Sequence, residues 1–150
     1  MAVVVLGSIN MDLTTYVPRL PAPGETLFGS SFITVPGGKG FNQAVAAGRL
    51  GAPTQFIGRM AVISVVDLFE NAISVISGAN MPHDGKEVAR TREALQAAKL
   101  LLLQLESPLE TSLAAAKAAR ELGATVILDP APSKLLPPEA YQLCHLMTPN

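Results

Sequence analysis

The chain has 150 residues, 49% of them hydrophobic and only 15% charged, with a formal net charge of −1. A chain of this length buries roughly 70% of the surface its unfolded form exposes. Its composition is too apolar and too weakly charged for a disordered segment. The near-neutral balance leaves no electrostatic footprint for nucleic acid or an anionic membrane, so neither is expected as a partner. One cysteine, Cys144, excludes an internal disulfide and a thiolate metal centre. No run approaches the ~18 apolar residues of a membrane span. The most apolar stretch, 60–69, is broken by Asp67 and bracketed by Arg59 and Glu70. The opening Met1-Ala2-Val3-Val4-Val5-Leu6 lacks the basic region and cleavage site of a signal peptide, so a cytoplasmic location is expected.

In chain order, residues 3–6 form a continuous apolar run stopped by Gly7, the pattern of a strand covered on both faces. Residues 10–23 are rich in turn formers, and 27–35 predict one or two exposed strands. Residues 40–50 predict a helix with Gly51 just past its end. A further helix is predicted over 86–99, with Val88, Leu95 and Ala98 on one side. The run 100–105 predicts a strand. Ser107-Pro108-Leu109-Glu110 then predicts a helix start: Ser107 as cap, Pro108 at the first helical position, Glu110 bonding back. That helix carries Leu109, Leu113, Ala116 and Ala119 and closes at Gly123, before a strand at 126–128. Strand, helix and strand make one βαβ unit, which requires a parallel sheet. A last strand is expected over 143–147, and no repeat or linker divides the chain.

The expected fold is therefore α/β, a parallel sheet with helices on its faces. Ligands of such sheets sit beyond the carboxyl ends of the strands. That rule selects the residues after Leu6, after Leu105 and after Leu128. After Leu6 come Asn10 and Asp12, an amide that donates and accepts and a carboxylate that accepts. They suit several hydroxyls at once; taken alone they are more simply an Asx-turn or loop cap. Pro36-Gly37-Gly38-Lys39-Gly40-Phe41-Asn42-Gln43 places three glycines before a predicted helix, where bare backbone amides can meet a ligand at its positive end. It is no Walker loop, since Gly40 and not Ser or Thr follows Lys39. A tight strand-to-helix turn is the alternative. Glu106 stands at a strand end, where ligand contact and helix-cap support are equally open. Asp129-Pro130-Ala131-Pro132 suits a rigid loop. His83 and His145 lack partners at metal-ligand spacing and are expected to pack or sit on the surface.

Together these segments resemble the ribokinase branch of the PfkB-type carbohydrate kinases. The resemblance is carried by Val4-Val5-Leu6-Gly7-Ser8-Ile9-Asn10-Met11-Asp12, by Pro21-Ala22-Pro23-Gly24-Glu25-Thr26 and by Gly37-Gly38-Lys39-Gly40-Phe41-Asn42-Gln43. Later come Ser77-Gly78-Ala79-Asn80, Gln104-Leu105-Glu106-Ser107-Pro108-Leu109-Glu110, Asp129-Pro130-Ala131-Pro132 and Thr148-Pro149-Asn150, in the family's order. The resemblance implies a parallel sheet flanked by helices with a small β lid over the sugar. It implies transfer of a phosphoryl group from ATP to a sugar hydroxyl, ribose to ribose 5-phosphate, with Mg2+ and often K+. By motif, Asn10, Asp12, Gly38, Lys39, Asn42 and Glu106 look like sugar binders, and Asn150 like the asparagine near the ATP phosphates. Strands near 27–35 and 71–76 resemble the lid, which in relatives also forms a homodimer contact.

The chain departs from the family pattern in two places. It stops at Asn150, before the family's magnesium-side acid and its Gly-Ala-Gly-Asp segment, which carries the catalytic base and anion hole. Between 60 and 70 relatives carry further elements, so an internal deletion is expected there. The expectation is a truncated, partial ribokinase-like domain, not competent as a kinase by itself. The alternative is a non-catalytic sugar-binding or dimerising fragment.

Overall fold

Short apolar runs become strands here because each can be covered from both sides, which only a parallel sheet with crossover helices provides. The computed structural model describes residues 1–67, 72–75 and 85–149. Its main sheet has five parallel strands in the order β4-β1-β7-β8-β9. β1 (Val3–Leu6), β7 (Leu100–Leu103) and β8 (Thr125–Leu128) hold the centre; β4 (Thr54–Ile57) and β9 (Leu146–Met147) form the edges. Alternation along the strands divides their side chains between two faces. Val4, Leu6, Leu101, Leu103, Val126 and Leu128 share one core with Leu95, Ala98, Ala115, Ala116 and Ala119. That core lies beneath α2 (Lys86–Ala94) and α3 (Leu109–Glu121). The alanines of α3 let the helix lie close to the sheet. Each large aliphatic side chain buried there is worth about 1.5–3 kcal/mol. On the opposite face α1 (Lys39–Arg49) covers the central strands, and between them runs a groove of about 650 Å³ lined by Val3, Ala46, Leu50, Leu100, Leu102 and Ile127.

Gly51 and Gly123 take the left-handed conformation just past α1 and α3, as predicted. Other boundaries differ from expectation for local reasons. Ser107 makes no cap bond: α3 begins at Leu109 with Pro108 as cap residue, which leaves Ser107 one position too early, and it is buried instead. The helix predicted to reach 99 ends at Ala94, where Gln96 and Ala97 bond three residues back and tighten the turn. Leu95 and Ala98 still reach the core. Residue 143 belongs to α4 (Pro138–Leu143), so the last strand is only Leu146–Met147.

A second sheet, in the order β3-β2-β5-β6, stands beside the first. Its strands are β3 (Ser31–Gly37), β2 (Ile9–Tyr16), β5 (Met60–Asp67) and β6 (Ala72–Val75). β2 lies where turns were expected. Asn10, Asp12 and Thr14 do look like turn residues, but they alternate with Ile9, Met11 and Leu13 and so fall on one face of a strand. β3 tolerates Pro36 because it is an edge strand and the missing N–H breaks no ladder bond. Within segment 60–69, residues 60–67 are a full strand, parallel to β2 and antiparallel to β6. Only Gly58 and Arg59 join β4 of the main sheet to β5 of the second. Residues 71 and 76, Ser77-Gly78-Ala79-Asn80, His83 and Asn150 lie outside the described residues. Among the described residues no helix is long and apolar enough to cross a membrane.

β9 pairs on one side only, with β8, and Leu146 is 53% exposed on it. Open backbone groups beside apolar surface promote edge-to-edge association. Light scattering at micromolar concentration should therefore detect species larger than a monomer. Leu146→Lys should reduce them while changing stability by no more than about 0.5 kcal/mol. A wild-type chain that stays monomeric would show this edge to be harmless.

Candidate functional site

The site forms where β1, β7 and the start of α1 converge, beyond the carboxyl ends of the central strands. Strand order reverses here, since the chain adds β4 on one side of β1 and β7 on the other. A crevice at such a point is the usual ligand position of an open parallel sheet.

The first amides of a helix have no partner within it. At α1 the cap residue is Gly38, which has no side chain to offer, and the partners come from distant segments. Lys39 N–H donates to Oε2 of Glu106 at 2.8 Å, 67 residues away. Gly40 N–H approaches Ser8 Oγ at 3.4 Å, and Phe41 N–H donates to the Ser8 carbonyl at 2.9 Å. Ser8 Oγ–H donates in turn to the same Glu106 Oε2 at 2.5 Å. One carboxylate and one serine thus satisfy the opening turn, and the negative charge sits at the positive end of the helix. The sequence left ligand contact and helix-cap support open for Glu106; the structure shows the second. The same bonds alter the expectation for the glycine turn. The amides of Lys39, Gly40 and Phe41 are occupied from within the chain.

The glycines are required by close approach. Gly38 has φ +93°, and a Cβ there would stand 3.0 Å from the Ser8 carbonyl oxygen. Gly37 lies opposite Asn10 in the β2–β3 ladder, and a Cβ on it would come within 2.7 Å of Asp12 Oδ2. Asp12 therefore leans its carboxylate over Gly37. Burial, and secondarily the charge of Glu106, raises the Asp12 carboxyl above the usual aspartate value of 3.8. Asp12 on β2 and Glu106 just after β7 thus stand near enough for the charge of one to act on the other.

Asn10 is buried two residues before Asp12, on the same face of β2. Lys39 and Glu106 are half-buried, and Asn42 lies exposed in the first turn of α1. Asn150, matched to the nucleotide side, lies outside the described residues. Asn10, Asp12, Gly38, Lys39 and Glu106 thus converge, with Asn42 at the rim. Asp129, after β8, donates its N–H to the Leu103 carbonyl, and Lys134 reaches the Leu105 carbonyl at 2.6 Å, so that loop is strapped to the end of β7. Ser8 was the residue that sequence reasoning passed over. Its signal was position, directly after the glycine that ends a buried strand.

Residues 2–62 match the sequence model of the pfkB family carbohydrate kinases. The ribokinase of Haemophilus influenzae is 38% identical over 97% of this chain and 58% of its own length. The deoxyribokinase of Salmonella typhi is 32% identical over 100% of this chain and 60% of its own length. The structure of Arabidopsis thaliana ribokinase complexed with ribose and ATP superposes with a TM-score of 0.87 at 29% identity, covering 99% of this chain and 60% of that one. The chain spans about three fifths of the length of these proteins. In its matched residues, its five-stranded parallel sheet and its glycine turn, the chain is thus similar to pfkB family carbohydrate kinases, and to ribokinases over nearly all of its own length.

Proposed function

We propose that this chain binds the hydroxyl groups of a pentose, most simply ribose, as the sugar half of a site for ATP-dependent phosphorylation of ribose to ribose 5-phosphate. The observation that carries the reading is the pair of carboxylates, Asp12 against Gly37 and Glu106 on the Lys39 amide, gathered at one glycine turn with Asn10 two residues before Asp12. Carboxylates only accept hydrogen bonds, and a polyol brings several donors. Hydroxyl protons placed between the two would relieve their repulsion, and Asn10 can both donate and accept. The similarity to ribokinases supports the same substrate class, and the similarity to a deoxyribokinase makes 2-deoxyribose the natural competitor.

The nucleotide, Mg2+ and K+ belong to the same family reading, but the described residues at α1 do not fit a nucleotide phosphate, and no group of three or more His, Cys, Asp or Glu among the described residues could hold a metal ion. The positive end of α1, where a phosphate could sit, already holds the Glu106 carboxylate. Asp12 and Glu106 beside it would repel a polyphosphate. The proposed role of this chain by itself is accordingly sugar binding without turnover. In this reading the second sheet is the lid. Its outward face, with Phe32, Met60 and Val62 exposed, suits a homodimer contact. The alignment with the Haemophilus influenzae protein runs over 180 positions, at least 30 more than this chain possesses. That supports the internal deletion, which we propose between residues 60 and 70.

Calorimetric titration should show saturable ribose binding, while the same sample forms no ribose-dependent ADP. Absence of binding by ribose and 2-deoxyribose alike would remove the sugar reading. Steady ADP formation lost in Asp12→Asn would overturn the claim of no turnover.

Asp12→Asn should weaken ribose binding by about 1.5–3 kcal/mol through loss of charge-assisted hydrogen bonds. Its effect on stability should have the opposite sign. Because the folded pKa of Asp12 is raised, its contribution is fullest below the ordinary aspartate value and is lost as pH rises through the raised one. The variant should therefore be more stable than wild type at pH ~7 and indistinguishable from it near pH ~3, as read by urea unfolding. Unchanged ribose affinity would take Asp12 out of the site.

A further inference from the structure

Gln104 is fully buried directly behind the site, two residues before Glu106. Its Nε2–H donates to Gln43 Oε1 of α1 at 2.6 Å. Its Oε1 has no hydrogen-bond partner among the described residues. That oxygen is pressed instead against two glycines. A Cβ on Gly7 would stand 1.8 Å from it, and one on Gly40 2.9 Å. A flat amide thus occupies the space two side chains would need, and a buried acceptor without a donor is a cost the fold carries. An aliphatic residue would fill the same space without that cost, but it could not be anchored to Gln43.

We propose that Gln104 is a positioning residue of the site: wedged between Gly7 and Gly40 and tied to Gln43, it sets the end of β1 against the first turn of α1 and so places Glu106. The chain neighbours make the argument. Gly7 precedes Ser8, Gly40 follows Lys39, and Gln104 stands two residues before Glu106. The inner contact of Gln104 with two glycines therefore lies beneath the outer contact of Glu106 with Ser8 and the Lys39 amide. If the inner layer slips, the glycine backbones separate and the two donors no longer converge on one carboxylate oxygen. The sugar consequence of this placement rests on the proposed function; the placement itself does not.

The test is Gln104→Met, which keeps length and volume and removes the amide. Hydrogen exchange at the Lys39 and Gly40 amides should accelerate about tenfold, and ribose affinity should fall about tenfold, the scale of one hydrogen bond. Exchange at Val4 and Val126 should keep its protection. The NMR titration of the Asp12 carboxyl should move part of the way down towards the ordinary aspartate value as Glu106 leaves, the part due to burial being kept. Gln43→Leu, which removes the acceptor from a half-buried helix position, should act in the same direction, and it decides the matter if Gln104→Met does not fold. Unchanged exchange at Lys39 and Gly40 overturns the proposal. So does an equal loss of protection at Val4 and Val126, which would make Gln104 a packing residue. If wild type binds no ribose, the sugar reading falls, while the exchange and titration results still decide the role of Gln104.

Discussion

The carboxylate of Glu106 on the first turn of α1 is the interaction on which the site depends. A helix that opens on glycine has no side chain of its own to satisfy its first amides. Here the missing cap is supplied by the strand end of β7, with Ser8 of the β1 end completing it. The bond ties together three segments that are far apart in the chain, and it does so at the point where ligands of parallel sheets sit. A helix cap is ordinarily worth about 1 kcal/mol. This one also decides where Glu106, whose charge raises the Asp12 carboxyl, stands.

That arrangement leaves a cost at Asp12. Glu106 is favoured by the helix dipole and two donors, whereas Asp12 lies partly buried near another carboxylate, and its proton affinity rises. The fold would be better off without the Asp12 charge. A polyol that brings hydroxyl protons between the two carboxylates would recover part of that cost on binding, which is how a binding site differs from a merely stable surface. The glycines serve the same end. Gly37 makes room for the Asp12 carboxylate, and Gly38 allows α1 to start against the Ser8 backbone.

The two sheets contribute differently. The parallel sheet has its core beneath α2 and α3, and the ends of its central strands lead into Ser8 and Glu106. The second sheet brings Asn10 and Asp12 on one face of β2 and exposes apolar side chains on the other. It is joined to the main sheet through Gly7-Ser8 and through the two residues between β4 and β5. Short connections of this kind limit how far the Asp12 side of the site can move from the Glu106 side.

Much of this was legible in the order of residues. The apolar runs of β1, β7 and β8, the glycines that close α1 and α3, and the βαβ unit of β7, α3 and β8 follow from periodicity and turn chemistry, which act over a few residues. Asn10, Asp12, the glycine turn and Glu106 could be singled out because strand ends of parallel sheets are where ligands bind. Tertiary structure alone decided the rest. The polar residues of β2 form a strand because β3 and β5 supply ladders on both sides, a fact no local window contains. Ser107 loses its predicted role to a one-residue shift in the helix start. Glu106 becomes the cap of a helix 67 residues away, and Gln104 finds the two glycines that need it, because such contacts are set by how the sheet brings chain ends together. Sequence spacing carries local geometry; it carries no measure of distance between segments that meet only after folding.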